Sequence, residues 1–187
     1  MKLSTRARYA LRVMLDIARH GGGETPVPLT AVAHRTDLSH GYLEQLVMGL
    51  RRARILRGVA GRKGGYMLGR DPGEIRLGAV IEASIGDVCL VECVRDPTIC
   101  ARAERCETRV LYCLLNDRIE ETLQSLTRAD LMDPDWLALN GGITAEVLAE
   151  APDGPDPCSA PHGPRRGRPR RQPFGHDWCP DERRLLW

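Results

Sequence analysis

The stretch LSHGYLEQLVMGLRRARILRGVAGRKGGYML, residues 38–68, changes its period halfway along. In its first half Leu43, Leu46, Val47 and Leu50 stand at i, i+3, i+4 and i+7, the spacing of one buried helical face. Ser39 is placed to cap that helix, and Tyr42, Glu44, Gln45, Met48 and Arg51 are left facing outward. The second half loses the helical period. Two short β-prone runs, 55–60 and 66–68, flank GRKGG, whose glycines permit the positive φ values of a hairpin tip. Arg62 and Lys63, held between glycines that include Gly64 and Gly65 and followed by Tyr66, let a backbone and two cations approach phosphates closely. The plain alternative for such a hairpin is an ordinary surface turn.

Upstream, Ala10, Val13, Met14 and Ile17 predict a helix over residues 5–18 with Ser4 or Thr5 as its cap, ended by HGGGETPVP. A short helix over 29–35 follows, then the turn TDLS. Two short helices joined by a tight turn, the second with a polar outer face and a basic hairpin behind it, read as a winged helix-turn-helix. Downstream, IRLGAVIEASI predicts a further helix with Leu77, Val80 and Ile81 inward. A long helix is expected over about 103–128, with Leu111, Leu115, Ile119, Thr122, Leu123 and Leu126 on one stripe. Such a stripe packs against its own domain or against a second copy, and a homodimer is favoured because helix-turn-helix proteins commonly read two half-sites. The expected fold class is therefore mainly α with one small β-hairpin.

Charge is segregated along the chain. The 187 residues carry a net charge of only +2, yet residues 1–70 hold thirteen Lys and Arg against four Asp and Glu, whereas residues 71–151 hold seven against sixteen. A basic module beside an acidic one points to a polyanionic partner, nucleic acid ahead of a membrane surface. Solvated surface is the bland alternative. MKLSTRARYALRVMLDIA is interrupted by Arg6, Arg8, Arg12 and Asp16 and does not read as an export signal, and no stretch is apolar for long enough to span a bilayer. The expectation is a cytoplasmic protein without a membrane partner. No phosphate loop, nucleotide fingerprint or nucleophile–base pair is recognisable, so the sequence predicts neither an enzyme nor a small-molecule substrate.

Seven cysteines, an odd number in a chain read as cytoplasmic, argue for metal or redox chemistry over a disulfide framework. Cys93, Cys100 and Cys106 form a C-x6-C-x5-C pattern within CVRDPTICARAERC, among Arg, Asp and Glu. Inert cysteines are usually buried in apolar surroundings, and structural zinc sites usually use C-x2-C pairs, which are missing here. Cys106 falls at or near the start of the long helix, where the positive end of the dipole favours a thiolate, and Arg102 and Arg105 lie beside it. Thiol redox sensing without a metal is a rival use of the same loop. Cys113, seven residues on, reads as a small buried residue of the dimer interface.

Residues 1–133 resemble the winged-helix regulators that include the iron–sulfur cluster regulator IscR, the nitric-oxide-sensing repressor NsrR and the cysteine-metabolism repressor CymR. The resemblance is carried by MKLSTRARYALRVMLDIA, LSHGYLEQLVMGLRRARIL, GRKGGYMLGRDPGEIRLGAVI and the three-cysteine loop before a long helix. It implies a homodimer on a near-palindromic double-stranded DNA operator, with Ser39, Tyr42, Glu44, Gln45 and Arg51 on the groove-facing side and Arg62, Lys63, Gly64, Gly65 and Tyr66 in the wing. It also implies an iron–sulfur cluster, 2Fe–2S or 4Fe–4S, on Cys93, Cys100 and Cys106. Two positions depart from the family pattern. Arg109 stands where part of the family has a His ligand, and the N-terminal segment has Arg8 and no carboxylate where another branch has one. Candidates for the fourth ligand are Cys89, Cys113, Glu104, Glu107, His34 or an exogenous group.

The chain thus divides into a DNA-binding region over 1–70, a linking helix, cysteine loop and dimerisation helix over 71–135, and a Pro- and Arg-rich tail over 136–187 with no apolar period, expected to be disordered. Cys158 and Cys179 in the tail read as bystanders, and RRGRPRR, residues 165–171, resembles the core of an AT-hook. The functional expectation is a transcriptional regulator that senses redox, iron or nitric oxide status through the cluster. The alternative is a thiol- or metabolite-responsive repressor of the same fold without one.

Overall fold

The structure is a computed structural model and describes residues 4–21 and 24–141. Helix α1, Thr5–Gly21, begins where Ser4 Oγ accepts the Ala7 N–H at 3.3 Å. It buries Ala7, Ala10, Val13, Met14 and Ile17 as their spacing requires. Helix α2, Leu29–Thr36, ends at Asp37, which takes the left-handed conformation (φ 52°) and turns the chain into α3, His40–Arg52. The turn is braced from α1: Arg35 donates through Nε and Nη2 to the two carboxylate oxygens of Asp16 at 2.8 and 2.7 Å. This bidentate, half-buried pair holds the first two helices in fixed relation.

At the end of α3, Arg54 takes φ 57° and Ile55 N–H donates to the Leu50 carbonyl at 2.9 Å, so the helix closes and the chain reverses into the hairpin. Strands β1, Leu56–Val59, and β2, Gly65–Leu68, pair antiparallel, with Leu56 opposite Leu68 and Val59 opposite Gly65. Val27, in the segment before α2, adds a single bridge on the other edge of β2. It exchanges both backbone hydrogen bonds with Tyr66, each at 2.9 Å. Helix α4, Leu77–Ile85, then crosses behind α1 and α3 and buries Leu77, Val80 and Ile81. Val13, Met14, Ile17, Val32, Leu43, Leu46, Leu50, Ile55, Leu56 and Val80 form one core. It fixes the exposed face of α3 and the hairpin in one arrangement.

The remaining helices are α5, Glu92–Arg95, α6, Glu107–Ser125, and α7, Pro134–Gly141. The long helix is shorter than expected at both ends. Residues Ala103–Arg105 form a separate 3₁₀ turn, Cys106 is the N-cap of α6, and the helix stops at Ser125. Leu126 then pairs with α4, its carbonyl accepting the Leu77 N–H at 3.0 Å. The expected boundary after residue 135 falls inside α7, which continues to Gly141. The tail from residue 142 on, with Cys158, Cys179 and RRGRPRR, lies outside the described residues.

Candidate nucleic-acid interface and cysteine loop

Ser39 caps α3 by accepting the Tyr42 N–H at 3.4 Å, a weak bond by length, and the four apolar residues of the expected inner face are all buried. Glu44, Gln45, Met48 and Arg51 are exposed as their positions predict. Tyr42 departs from the expectation. It is half-buried against the core, its ring edge-on to Tyr9 with centroids 6.1 Å apart at 87°. An aromatic ring this close to a second one gains more by packing than by standing in water, so Tyr42 presents only part of itself. The guanidinium groups of Arg8 and Arg12 lie 5.3 and 5.9 Å from the Tyr9 centroid. Arg6 reaches the Gln45 carbonyl with Nη2 at 3.4 Å. The first turn of α1 thus brings Arg6 beside α3, a contribution the linear sequence hides because 39 residues separate Arg6 from Gln45.

The hairpin carries Arg62 and Lys63 exposed at its tip. Two backbone positions demand glycine. A Cβ on Gly64 would lie 2.3 Å from the Val59 carbonyl oxygen, and one on Gly65 (φ 157°) would lie 2.3 Å from that of Val27. Gly65 and Tyr66 therefore belong to the paired strand and not to the tip. Tyr66 is half-buried, and with Arg51, Gly58, Val59, Ala60 and Gly65 it lines a cleft of about 310 Å³ between the end of α3 and the wing. The cleft joins Arg51 of the exposed α3 face to the hairpin whose tip carries Arg62 and Lys63, and in winged helix-turn-helix proteins a helix enters a groove while a hairpin holds the flanking backbone.

The cysteine loop is more structured than its composition suggests. Cys93 lies in α5, Cys100 follows a 3₁₀ turn at Pro97–Ile99, and Cys106 caps α6; all three are free and half-buried. Asp96 Oδ1 accepts both the Thr98 N–H at 2.9 Å and its hydroxyl at 2.6 Å, which holds the Asp96 carboxyl below its usual range. Two residues of α6 clasp the start of the loop. Asn116, 5% exposed, accepts the Leu90 N–H at 3.1 Å through Oδ1 and donates to Glu120 at 2.8 Å. Arg109 Nε donates to the Cys93 carbonyl at 2.8 Å. Arg109 thus acts here as a clasp, consistent with a guanidinium being no ligand for iron. Cys113 shares this half-buried side of α6 with Arg109 and Asn116.

The Cys106 thiol is lowered from its ordinary pKa, as expected, but chiefly for another reason. Thr108 Oγ1 lies 3.1 Å from Cys106 Sγ and donates to the thiolate, followed in importance by the Arg109 N–H; burial and the charge of Glu107 oppose them. In kind, three free thiols fit an iron–sulfur cluster. In placement they are not gathered: among the described residues no three His, Cys, Asp or Glu side chains are positioned to share a metal ion. Of the other candidate donors, the Cys89 thiol donates a hydrogen bond to the Val91 carbonyl at 3.0 Å and His34 is exposed on α2.

Helix α6 divides its apolar residues between two faces. Ile119 and Leu123 are half-buried toward the chain's own body, whereas Val110, Leu111, Tyr112, Leu114 and Leu115 are 39–61% exposed. The single stripe expected from the sequence is therefore split, with Leu111, Leu115 and Thr122 on the outer side. No helix of the described residues is long and apolar enough to cross a membrane.

These features define a winged helix-turn-helix DNA-binding regulator. Residues 3–134 match the model of the Rrf2 family, described as an iron-dependent transcriptional regulator, and the chain belongs to that family. It is 42% identical over 132 residues to the HTH-type transcriptional regulator IscR of Sodalis glossinidius (strain morsitans), covering 71% of this chain and 79% of that protein. Two solved structures are similar. CymR (YrzC), the global cysteine regulator of B. subtilis, is 37% identical with a TM-score of 0.58, over 70% of this chain and 95% of that one. IscR of T. potens is 35% identical with a TM-score of 0.57, over 71% and 86%. The chain is a transcriptional regulator, not an enzyme.

Proposed function

We propose that the protein is a cytoplasmic, homodimeric, operator-binding regulator whose DNA affinity responds to an iron–sulfur cluster held by Cys93, Cys100 and Cys106. The observation that carries this reading is the double clasp of the cysteine loop by Arg109 and Asn116 on α6. The opposite side of that helix bears Val110, Leu111, Leu114 and Leu115, an apolar surface of the kind that a second copy covers. A change at Cys93 is thereby passed to the dimer axis, and the axis sets the spacing of the two α3 helices. A shift of a few ångströms in that spacing misplaces a recognition helix in its groove. Ser39, Tyr42, Glu44, Gln45 and Arg51 would meet the groove, and Arg62, Lys63, Gly64, Gly65 and Tyr66 the flanking backbone. The cluster, when bound, supplies a redox-, iron- and nitric-oxide-sensitive cross-link between the turns of the loop.

Coupling between two such sites is typically about 1 to 3 kcal/mol, roughly 5- to 150-fold in affinity. The test compares operator binding by anaerobically purified holo protein, chelator-treated apo protein and the Cys93→Ala, Cys100→Ala and Cys106→Ala variants at one salt concentration. Separation of holo from the other four supports the reading. Agreement of all five within about twofold, well below such coupling, sinks it. A second reading, thiol sensing without a cluster, is favoured by the lowered Cys106 pKa and by the ungathered thiols. It predicts a colourless, iron-free protein even after anaerobic isolation, with operator binding that changes on oxidation.

A further inference from the structure

A second cleft, about 630 Å³, opens at the base of the wing, away from the cysteine loop. Its walls bring together Arg57 of β1, Arg70 and Asp71 after β2, Glu74 of the next turn, Glu24 after α1, and Arg128 beyond α6. The residues that line it thus include three arginines and three acids, yet among the described residues none of the six forms an ion pair with another. Arg57 and Arg70 use one donor each on backbone carbonyls, Nε to Leu68 at 3.4 Å and Nη2 to Ala53 at 3.0 Å. A guanidinium has five donors, so most of their capacity is uncommitted by these bonds.

Arg128 is the least satisfied member. Its backbone N–H is fixed to the Ile75 carbonyl at 2.8 Å, but its Nε is buried with no hydrogen-bond acceptor. Burial, and then the like charge of Arg19, lower its pKa. A partly buried cation without a counter-ion is unfavourable, and an anionic group entering the cleft relieves it. A simple anion would also meet Glu24, Asp71 and Glu74. The walls therefore suit a ligand carrying both signs, with its carboxylate toward Arg128 and its ammonium toward the acidic wall. The volume lies within the usual range for small-ligand sites.

We propose that this cleft binds a small zwitterion of the α-amino-acid class between the wing base and the segment that follows α6. Occupancy itself does not depend on the operator-binding reading; any effect of the ligand on DNA affinity does. The test is thermal unfolding of the full chain with each of the twenty free amino acids, and with acetate and methylamine as single-sign controls. At about a hundredfold excess over Kd, one or more amino acids should raise the midpoint by roughly 5–10 °C, and the single-sign controls should not. Arg128→Met, and independently Arg70→Gln and Glu74→Gln, should abolish or reduce that rise; the latter two decide the matter if Arg128→Met does not fold. The proposal is overturned if no amino acid moves the midpoint by more than about 1 °C, if acetate alone matches the best amino acid, or if the rise persists in both Arg70→Gln and Glu74→Gln. Because the readout contains no DNA, its failure is distinct from failure of operator binding.

Discussion

One substitution made at two places in α3 should have opposite effects. Gly49 lies where α3 crosses α4, and a Cβ there would stand 2.3 Å from the Ala83 carbonyl oxygen. Carbon and oxygen meet comfortably at about 3.3 Å, so Gly49→Ala requires the two helices to separate by about 1 Å. The obstructing atom is backbone and cannot rotate away. Overpacking of this kind costs about 1 to 3 kcal/mol, against a gain of about 1 kcal/mol from replacing glycine by alanine inside a helix. With a rigid obstacle the upper half of that range applies, and the net loss should be about 1 to 2 kcal/mol, or roughly 2–8 °C in midpoint. Gly41, in the first turn of the same helix, has nothing within 4 Å of its Cβ position. Gly41→Ala should therefore raise stability by about 0.5 to 1 kcal/mol. Paired chemical denaturation curves at equal protein concentration measure both. A Gly49→Ala protein at least as stable as the parent would refute the close packing of α3 on α4, and with it the placement of the recognition helix.

Arg62→Ala or Lys63→Ala should weaken binding on every DNA sequence and flatten the salt dependence by about one unit per lost phosphate contact, read from anisotropy titrations at several salt concentrations. Replacing Gln45 should instead change preference at one base step by about 1 to 3 kcal/mol; an equal loss on all sequences would argue against base readout. In metal-free protein, Thr108→Val removes the largest stabiliser of the Cys106 thiolate. The alkylation profile of Cys106 should then move to higher pH, while the unmodified protein reacts at lower pH than an ordinary thiol. Leu111→Glu with Leu115→Glu places charge on the outer face of α6 and should yield a monomer in sedimentation, with weaker operator binding; a dimer unaffected by both changes would move the interface elsewhere.

What the sequence disclosed follows from what is periodic. The inner faces of α1, α3 and α4 obey a helical spacing, and the glycines of the wing announce a turn; all four emerge in place. The features that were not legible depend on partners far away in the chain. Asn116 is an unremarkable polar residue in a helix until Leu90 is seen against it, 26 positions earlier. Arg109 reads as a missing ligand until its bond to the Cys93 carbonyl is known. Tyr42 reads as outward because the helical wheel cannot show that Tyr9 awaits it. Helix α6 misled for a different reason. Its apolar residues are so numerous that one wide stripe fits them as well as two faces do, and only the packing of Ile119 and Leu123 against the chain's own body separates them from Leu111 and Leu115.

The bridge between Val27 and Tyr66 gives the wing a particular kind of evolvability. With β2 fastened to Val27 at Tyr66 and paired to β1 as far as Val59 and Gly65, the tip from Ala60 to Lys63 is a cantilever whose anchorage does not involve its own length. Residues can be inserted or deleted there without shifting the register of Leu56 against Leu68 or disturbing the core beneath them. The same core can therefore carry tips of differing length and charge. The base tolerates no such variation, because any side chain at Gly65 would push the linker at Val27 away and detach α2 from the sheet edge that positions it.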